Sequence, residues 1–331
     1  MAVLTSIEEM TYREAIRIAL AEEMRRDPRV VLLGEDIGAA GGVFKTTEGL
    51  IEEFGEQRVM DMPIAESGFV GAALGMAVTG MRPVVEIMFS DFLGVCFDQI
   101  ANSIAKYRYL SAGEVSVPLV IRTIGGGGVS FGPQHSQTGE SWLLPFPGLK
   151  IVAASNPADA YAMLKAAIRD ENPVLFIEHK ALYGMKGPVH RSEEVPSLGT
   201  ASVIREGHDV TIVASLLMVR AALEAAEILA ADGISMEVID IRSLRPMDVE
   251  TIVTSVKKTG RLITVEEQPI LGGWGSHVIS EVVGACFDDL DAPPQRIGLP
   301  DAPVPFSPVL ERAAIPNSET IANSVRALLA R

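Results

Sequence analysis

Short runs of consecutive aliphatic and β-branched residues recur along the chain, each preceded by a segment with helical spacing. No other feature restricts the fold as much. Residues 30–33 (Val-Val-Leu-Leu), 83–87 (Pro-Val-Val-Glu-Ile) and 118–122 (Pro-Leu-Val-Ile-Arg) lack the polar and apolar alternation of a strand that faces water on one side. They predict strands covered on both faces, as in a parallel sheet flanked by helices. The helices are equally readable. A capping box at Thr11-Tyr-Arg-Glu14 precedes Ala15, Ile16, Ala19, Leu20 and Met24, and small-residue and apolar helices are expected over 69–78 and 92–109. The alternation continues to about residue 177, giving a doubly wound α/β domain.

Residues 183–200 turn to glycine, proline and charge, and a second alternating set follows. Strands are expected at 210–214, 235–239 and 261–265, helices at 218–231, 248–257 and 276–285, and a closing helix at 316–330. Two domains suit 331 residues, since single cores rarely grow much beyond ~250 to 300 residues. The expected division is 1–183, a linker at 184–200, and 201–331.

Composition removes several function classes. A net charge of −15 without a cluster of Lys and Arg is the wrong footprint for nucleic acid. Apolar windows such as 211–231 are interrupted by Arg220, Glu224 and Glu227, short of the ~20 apolar residues a membrane span needs. Residues 1–20, with Glu8, Glu9 and Glu14, resemble neither a secretory leader nor a transit peptide. Cys96 and Cys286 lie far apart and suit a reducing compartment, so cytoplasm is expected. Serine-triad, thiol and zinc-hydrolase motifs are absent.

Candidate site residues lie where expected strands end. Glu35 follows the strand at 30–33, at the carboxyl edge where open α/β sheets bind ligands, although a turn cap would also place an acid there. Glu66 follows the strand at 58–61 and precedes the small-residue helix. A helix N-terminus favours a carboxylate by only roughly 0.3–1 kcal/mol, and apolar Pro63, Ile64 and Phe69 flank this one, which favours a functional role. Gly125 to Gly128 follow a strand, but no Gly-Lys-Ser/Thr comes after them, which argues against a nucleotide phosphate loop. That nearly side-chain-free and flexible loop leads to His135, a surface residue or a proton-transfer group. The other histidines, 179, 190, 208 and 277, read as packed or solvated. Phe92 judged alone reads as core.

Leu33-Gly-Glu-Asp36, Pro63-Ile-Ala-Glu-Ser-Gly68, Phe97-Asp-Gln-Ile100, Gln134-His-Ser136 and Val238-Ile-Asp-Ile-Arg-Ser-Leu-Arg-Pro246 closely resemble the β subunit of the first component of 2-oxo acid dehydrogenase complexes. The match spans the chain. Arg122-Thr123 and Glu178-His-Lys180 look most like acetoin dehydrogenase β subunits, with pyruvate and branched-chain relatives left open. The resemblance implies transketolase-like pyrimidine-binding and C-terminal domains and the cofactor thiamine diphosphate. It implies that Glu66 bonds the aminopyrimidine ring and promotes formation of the nucleophilic carbanion, and that Phe92 stacks on that ring. Glu35 would join a proton path between active sites, and His135 would move protons on the intermediate or help present it to a lipoyl group. Asp170, Asn172 and Leu119 match positions that enclose potassium in relatives.

Relatives bind the diphosphate through Mg²⁺ with a Gly-Asp-Gly motif, and this chain has none. The resemblance therefore implies an α subunit holding diphosphate and Mg²⁺ in an α2β2 heterotetramer, and a lipoyl-bearing acyltransferase as further partner. Two alternatives remain open: the C-terminal half of a split transketolase and a non-catalytic assembly subunit.

Overall fold

The computed structural model describes residues 7–330. Its first half opens with β1 (Ile7–Thr11), α1 (Tyr12–Arg26), β2 (Val30–Gly34), α2 (Leu50–Phe54), β3 (Val59–Asp61), α3 (Glu66–Val78) and β4 (Arg82–Met88). It continues through α4 (Ala105–Leu110), β5 (Val120–Gly125), β6 (Lys150–Ala153), α5 (Pro157–Arg169), β7 (Val174–His179) and β8 (Lys186–His190). The second half holds β9 (Ser202–Arg205), β10 (Val210–Ala214), α6 (Leu217–Ala230), β11 (Met236–Asp240), β12 (Ser243–Arg245), α7 (Val249–Thr259) and β13 (Leu262–Pro269). It closes with α8 (Gly275–Cys286), β14 (Gln295–Leu299), α9 (Pro308–Ala314) and α10 (Ser318–Leu329).

Seven strands form one sheet in the order β12-β6-β7-β5-β4-β2-β3, and five form another in the order β14-β13-β10-β11-β9. Interior neighbours are parallel; the edge strands β12 and β9 are antiparallel to theirs. Two doubly wound α/β layers result, as the unalternating apolar runs require. Every residue of β2, β5, β7, β10 and β11 is buried. No helix among the described residues is long and apolar enough to cross a membrane.

Several elements depart from the sequence reading for identifiable reasons. Strand β5 begins two residues after the expected start, because proline at 118 has no amide to donate, and runs three residues further to pair with β7 as far as Gly125 and His179. Helix α3 starts at Glu66 rather than near residue 69, since the Ala65 carbonyl accepts the amides of Gly68 and Phe69 and closes the first turn. The single helix expected over 92–109 is a composite of a 3₁₀ turn at Ser90–Gly94, a π-helical stretch at Gln99–Ile104 and α4. Its π-helical part packs on the glycine face of α3, where a Cβ at position 71 would lie 3.8 Å from Gln99. Residues 184–200 carry β8, which pairs antiparallel with β1.

The two halves interlock. Strand β12 leaves the second half to pair with β6 of the first sheet. Ser215, just after β10, donates to Glu140 Oε1 at 2.6 Å, and Thr138 donates to the Glu267 carbonyl at 2.6 Å. Glu140 is buried, and its other carboxyl oxygen has no partner among the described residues. Burial, with the Glu267 charge adding to it, pushes the Glu140 carboxyl up to about 7. Burial and the Glu140 charge do the same to Glu266.

A carboxyl whose folded pKa is raised stabilises the fold fully below its unfolded value near 4.5, and that stability is lost as pH rises through about 7. For Glu140 the displacement corresponds to roughly 3 kcal/mol. Glu140→Gln keeps an acceptor for Ser215 and carries no charge. Urea denaturation at pH 5 and pH 8 is expected to show a smaller loss for the variant than for the parent, and equal losses would refute the assignment.

Candidate functional site

The candidate residues gather at the carboxyl ends of the first sheet. Glu35 follows β2, Glu66 opens α3 after β3, and Phe92 sits in the 3₁₀ turn after β4. His135 lies in the loop between β5 and β6, and Lys180 begins a single turn after β7.

Glu66 is only 6% exposed yet makes no hydrogen bond or ion pair with protein among the described residues. Its charge is felt nearby. Burial and Glu66 together raise the carboxyl pKa of Glu35, whose Oε1 is also buried and unpartnered, and push the Cys96 thiol up to about 12. The Glu66 carboxylate oxygens are not among the fully enclosed unpartnered atoms, so they stay open to solvent or a ligand, and an acceptor left free at the carboxyl edge of an α/β sheet is a candidate ligand contact. Phe92 and His135 are half-buried, their rings edge-to-face at 5.6 Å, and Phe89 meets His135 the same way at 4.9 Å. A free acceptor at Glu66 and the half-buried ring of Phe92 are groups that fit the aminopyrimidine of thiamine diphosphate.

A second set of charges is fully paired. Arg122, buried in the middle of the sheet, donates to Glu178 at 2.6 and 2.9 Å and to Glu86 at 2.6 Å. Tyr183 adds a bond to Glu178 at 2.7 Å. Burial opposes the guanidinium charge, but the two carboxylates keep Arg122 protonated. Arg122, Glu178 and Tyr183 are therefore occupied with each other beneath the cleft.

The glycine loop differs from its expected flexibility. Gly127 donates its amide to Glu267 Oε1 at 2.5 Å, Gly128 to Glu311 Oε1 at 2.8 Å, and Ser130 to Glu311 Oε2 at 2.9 Å. Carboxylates of the second half thus occupy the donors that a phosphate loop would offer to a ligand. The glycines serve close packing. A Cβ at Gly125 would lie 2.6 Å from both the Gln137 carbonyl and Ser90 Oγ, and one at Gly126, which has φ +84°, would collide with His179 Nε2. Of the packed and solvated readings, His179 takes the packed one: it is buried, and its Nδ1 accepts the Ala181 amide at 3.1 Å, so Nε2 carries the proton that bonds Glu267 at 2.9 Å.

Asp170, Asn172 and Leu119 are neighbours, but their oxygens are engaged. Asp170 bonds Lys150 and accepts the backbone and side-chain amides of Asn172 at 2.9 Å; Asn172 Oδ1 accepts from Arg108 at 2.6 Å. The Leu119 carbonyl accepts the Val174 amide at 2.9 Å. With Lys150 and Arg108 supplying positive charge, this donor set does not fit a bound potassium ion as it stands. No chemistry is derived through one.

Sequence reasoning missed Glu267 and Glu311, which reach the loop from 140 and 183 residues away. It also assigned no role to Phe89. No local signal marks them. A cavity of about 620 Å³ beside the loop is lined by Gln137, Trp142, Glu267, Gln268 and Asp301 among others, with no Lys or Arg. Gly126→Ala tests the packing role: a clash plus a left-handed non-glycine is expected to cost about 2–4 kcal/mol in denaturant melts. An unchanged midpoint would contradict it.

Comparison with known proteins agrees with this architecture. Residues 8–186 match the transketolase pyrimidine-binding domain family and residues 199–321 the transketolase C-terminal domain family. The chain is 46% identical over 321 residues to the 2-oxoisovalerate dehydrogenase subunit beta of Bacillus subtilis (strain 168), covering 96% of this chain and 98% of that one. It is 45% identical over 329 residues to the mitochondrial pyruvate dehydrogenase E1 component subunit beta-2 of Oryza sativa subsp. japonica, covering 98% and 88%. It is 43% identical over 328 residues to the acetoin:2,6-dichlorophenolindophenol oxidoreductase subunit beta of Cupriavidus necator, covering 96% and 97%. Among solved structures, a split-gene transketolase chain from an inactive β4 tetramer aligns with a TM-score of 0.81 at 27% identity, covering 97% of this chain and 99% of that one. The chain belongs to the E1 β subunits of 2-oxo acid and acetoin dehydrogenase complexes, a thiamine-diphosphate-dependent family built on the transketolase pyrimidine-binding and C-terminal domains.

Proposed function

We propose that this chain supplies the pyrimidine side of a thiamine diphosphate site shared with an α subunit in an α2β2 heterotetramer, the α subunit holding the diphosphate and Mg²⁺. The observation that carries the reading is Glu66, a largely buried residue whose carboxylate keeps access to solvent and has no hydrogen-bond or ion-pair partner among the described residues. Bound thiamine diphosphate supplies a carbanion nucleophile able to cleave the bond beside a carbonyl. In this reading Glu66 accepts a hydrogen bond from the aminopyrimidine and favours the tautomer that generates the nucleophile. Phe92 offers its ring to the pyrimidine face. Glu35, raised by burial and by Glu66, is suited to share a proton with its neighbour rather than to stand as a second fixed charge. His135 holds or moves a proton at the substrate side, before acyl transfer to a lipoyl group on an acyltransferase partner.

Pyruvate, 2-oxoisovalerate and acetoin are the substrate candidates. The Arg122, Glu178 and Lys180 positions that look acetoin-like bond groups of this chain, so they do not select among the three. A split transketolase is the second reading, favoured by the backbone similarity alone. A sugar phosphate calls for basic side chains, whereas the cavity beside the glycine loop offers Glu267 and Asp301. We retain 1–183 and 201–331 as the domain limits and the cytoplasm as the compartment, the latter supported by two unpaired cysteines.

The chain coexpressed with its α partner and tested with all three substrates and a dye acceptor provides the assay. Glu66→Gln preserves shape and removes the carboxylate, and turnover is expected to fall on the order of 100-fold or more. Full activity in a correctly assembled complex would instead support an assembly subunit.

A further inference from the structure

We infer that Lys180 is the positioning residue for His135. The inference rests on the reading of His135 as a proton-handling group, and goes beyond it by naming what holds the imidazole in place. Lys180 Nζ donates to the main-chain carbonyl of His135. The same ammonium lies 5.2 Å from the ring centre of Phe89 and 5.5 Å from that of Phe131. Phe89 in turn meets the His135 imidazole edge-to-face at 4.9 Å. One cation therefore grips both the backbone of His135 and an aromatic surface against which its side chain rests.

The anchor is rigid and the loop it holds is not self-supporting. Lys180 follows β7, whose last residue His179 is fixed on one side by the Ala181 amide and on the other by Glu267. Glu267 and Glu311 pin residues 127–130 of the glycine loop, but His135 lies beyond that pinned part. Lys180 is only 5% exposed and forms no ion pair among the described residues. Asp91 in the 3₁₀ turn, Glu267 on β13 and Glu311 on α9 favour its charge from a distance, but burial outweighs them and pushes the amine down to about 8. An ammonium buried without an ion-pair partner is expensive, and filling the same space with a methionine would be cheaper if packing were all that mattered. The carbonyl of His135 and the two rings are the groups that justify a cation there.

The test is a double-mutant cycle in the holoenzyme assembled with its α partner, using whichever of pyruvate, 2-oxoisovalerate and acetoin it oxidises. Lys180→Met is expected to lower kcat on the order of 10- to 100-fold with little change in KM, the scale of a reacting group displaced by about an ångström. In a His135→Ala background the same change is expected to cost nothing further. Lys180→Gln, which keeps a donor without the charge, runs through the same cycle should Lys180→Met fail to assemble. Additive losses, or normal turnover of Lys180→Met beside an impaired His135→Ala, would overturn the positioning role. Normal turnover of His135→Ala would overturn the underlying reading of His135 itself, and with it this inference.

Discussion

The capture of a glycine loop by two distant carboxylates holds this molecule's functional end together. Glu267 and Glu311 accept amides from Gly127, Gly128 and Ser130, joining the second half of the chain to the carboxyl end of the central strand of the first sheet. A charge-assisted bond from a carboxylate to a backbone amide is roughly twice as strong as a neutral one, and three converge within four residues. The loop thereby becomes part of a wall. The same bonds fill the local anion-binding geometry, so a phosphate group finds acidic oxygens where amide donors would otherwise be free. This loop is therefore not where cofactor phosphates are held, which is consistent with the proposed site divided between two subunits.

Against this background the treatment of buried charge is selective. Arg122, Glu86, Glu178 and Tyr183 form a closed network in the sheet, and His179 is satisfied at both nitrogens. The Glu66 carboxylate has no hydrogen-bond or ion-pair partner among the described residues. The helix dipole favours a carboxylate at the first position of α3 by only roughly 0.3–1 kcal/mol, which is a weak structural reason for an acid there. In the proposed reading, the cofactor bound in the assembled complex supplies the partner that Glu66 lacks.

What could be read in the sequence follows from locality. Interior strands such as β2, β7 and β10 announce themselves because burial on both faces demands an unbroken apolar run. Edge strands such as β8, β9 and β12 are partly exposed and carry no such run, and β12 depends on β6, some ninety residues earlier. Glu35, Glu66 and His135 could be nominated because each follows a recognisable strand or glycine run. Their roles came from family resemblance. The carboxylates that pin the loop, and the lysine beneath it, could not be nominated, since each acts across a tertiary contact that no spacing encodes. The 3₁₀ and π-helical breaks around Phe92 belong to the same class: Phe92, Cys96 and Gln99 read as an ordinary helix until their packing against α3 is seen.

The most direct test of a divided site is the structure of the complete α and β assembly with thiamine diphosphate bound. The account predicts the coenzyme at the junction between unlike chains, its ring nitrogen within hydrogen-bond reach of the Glu66 carboxylate and its phosphates on the α side. A coenzyme enclosed by one kind of chain, or Glu66 turned away from it, would contradict the account.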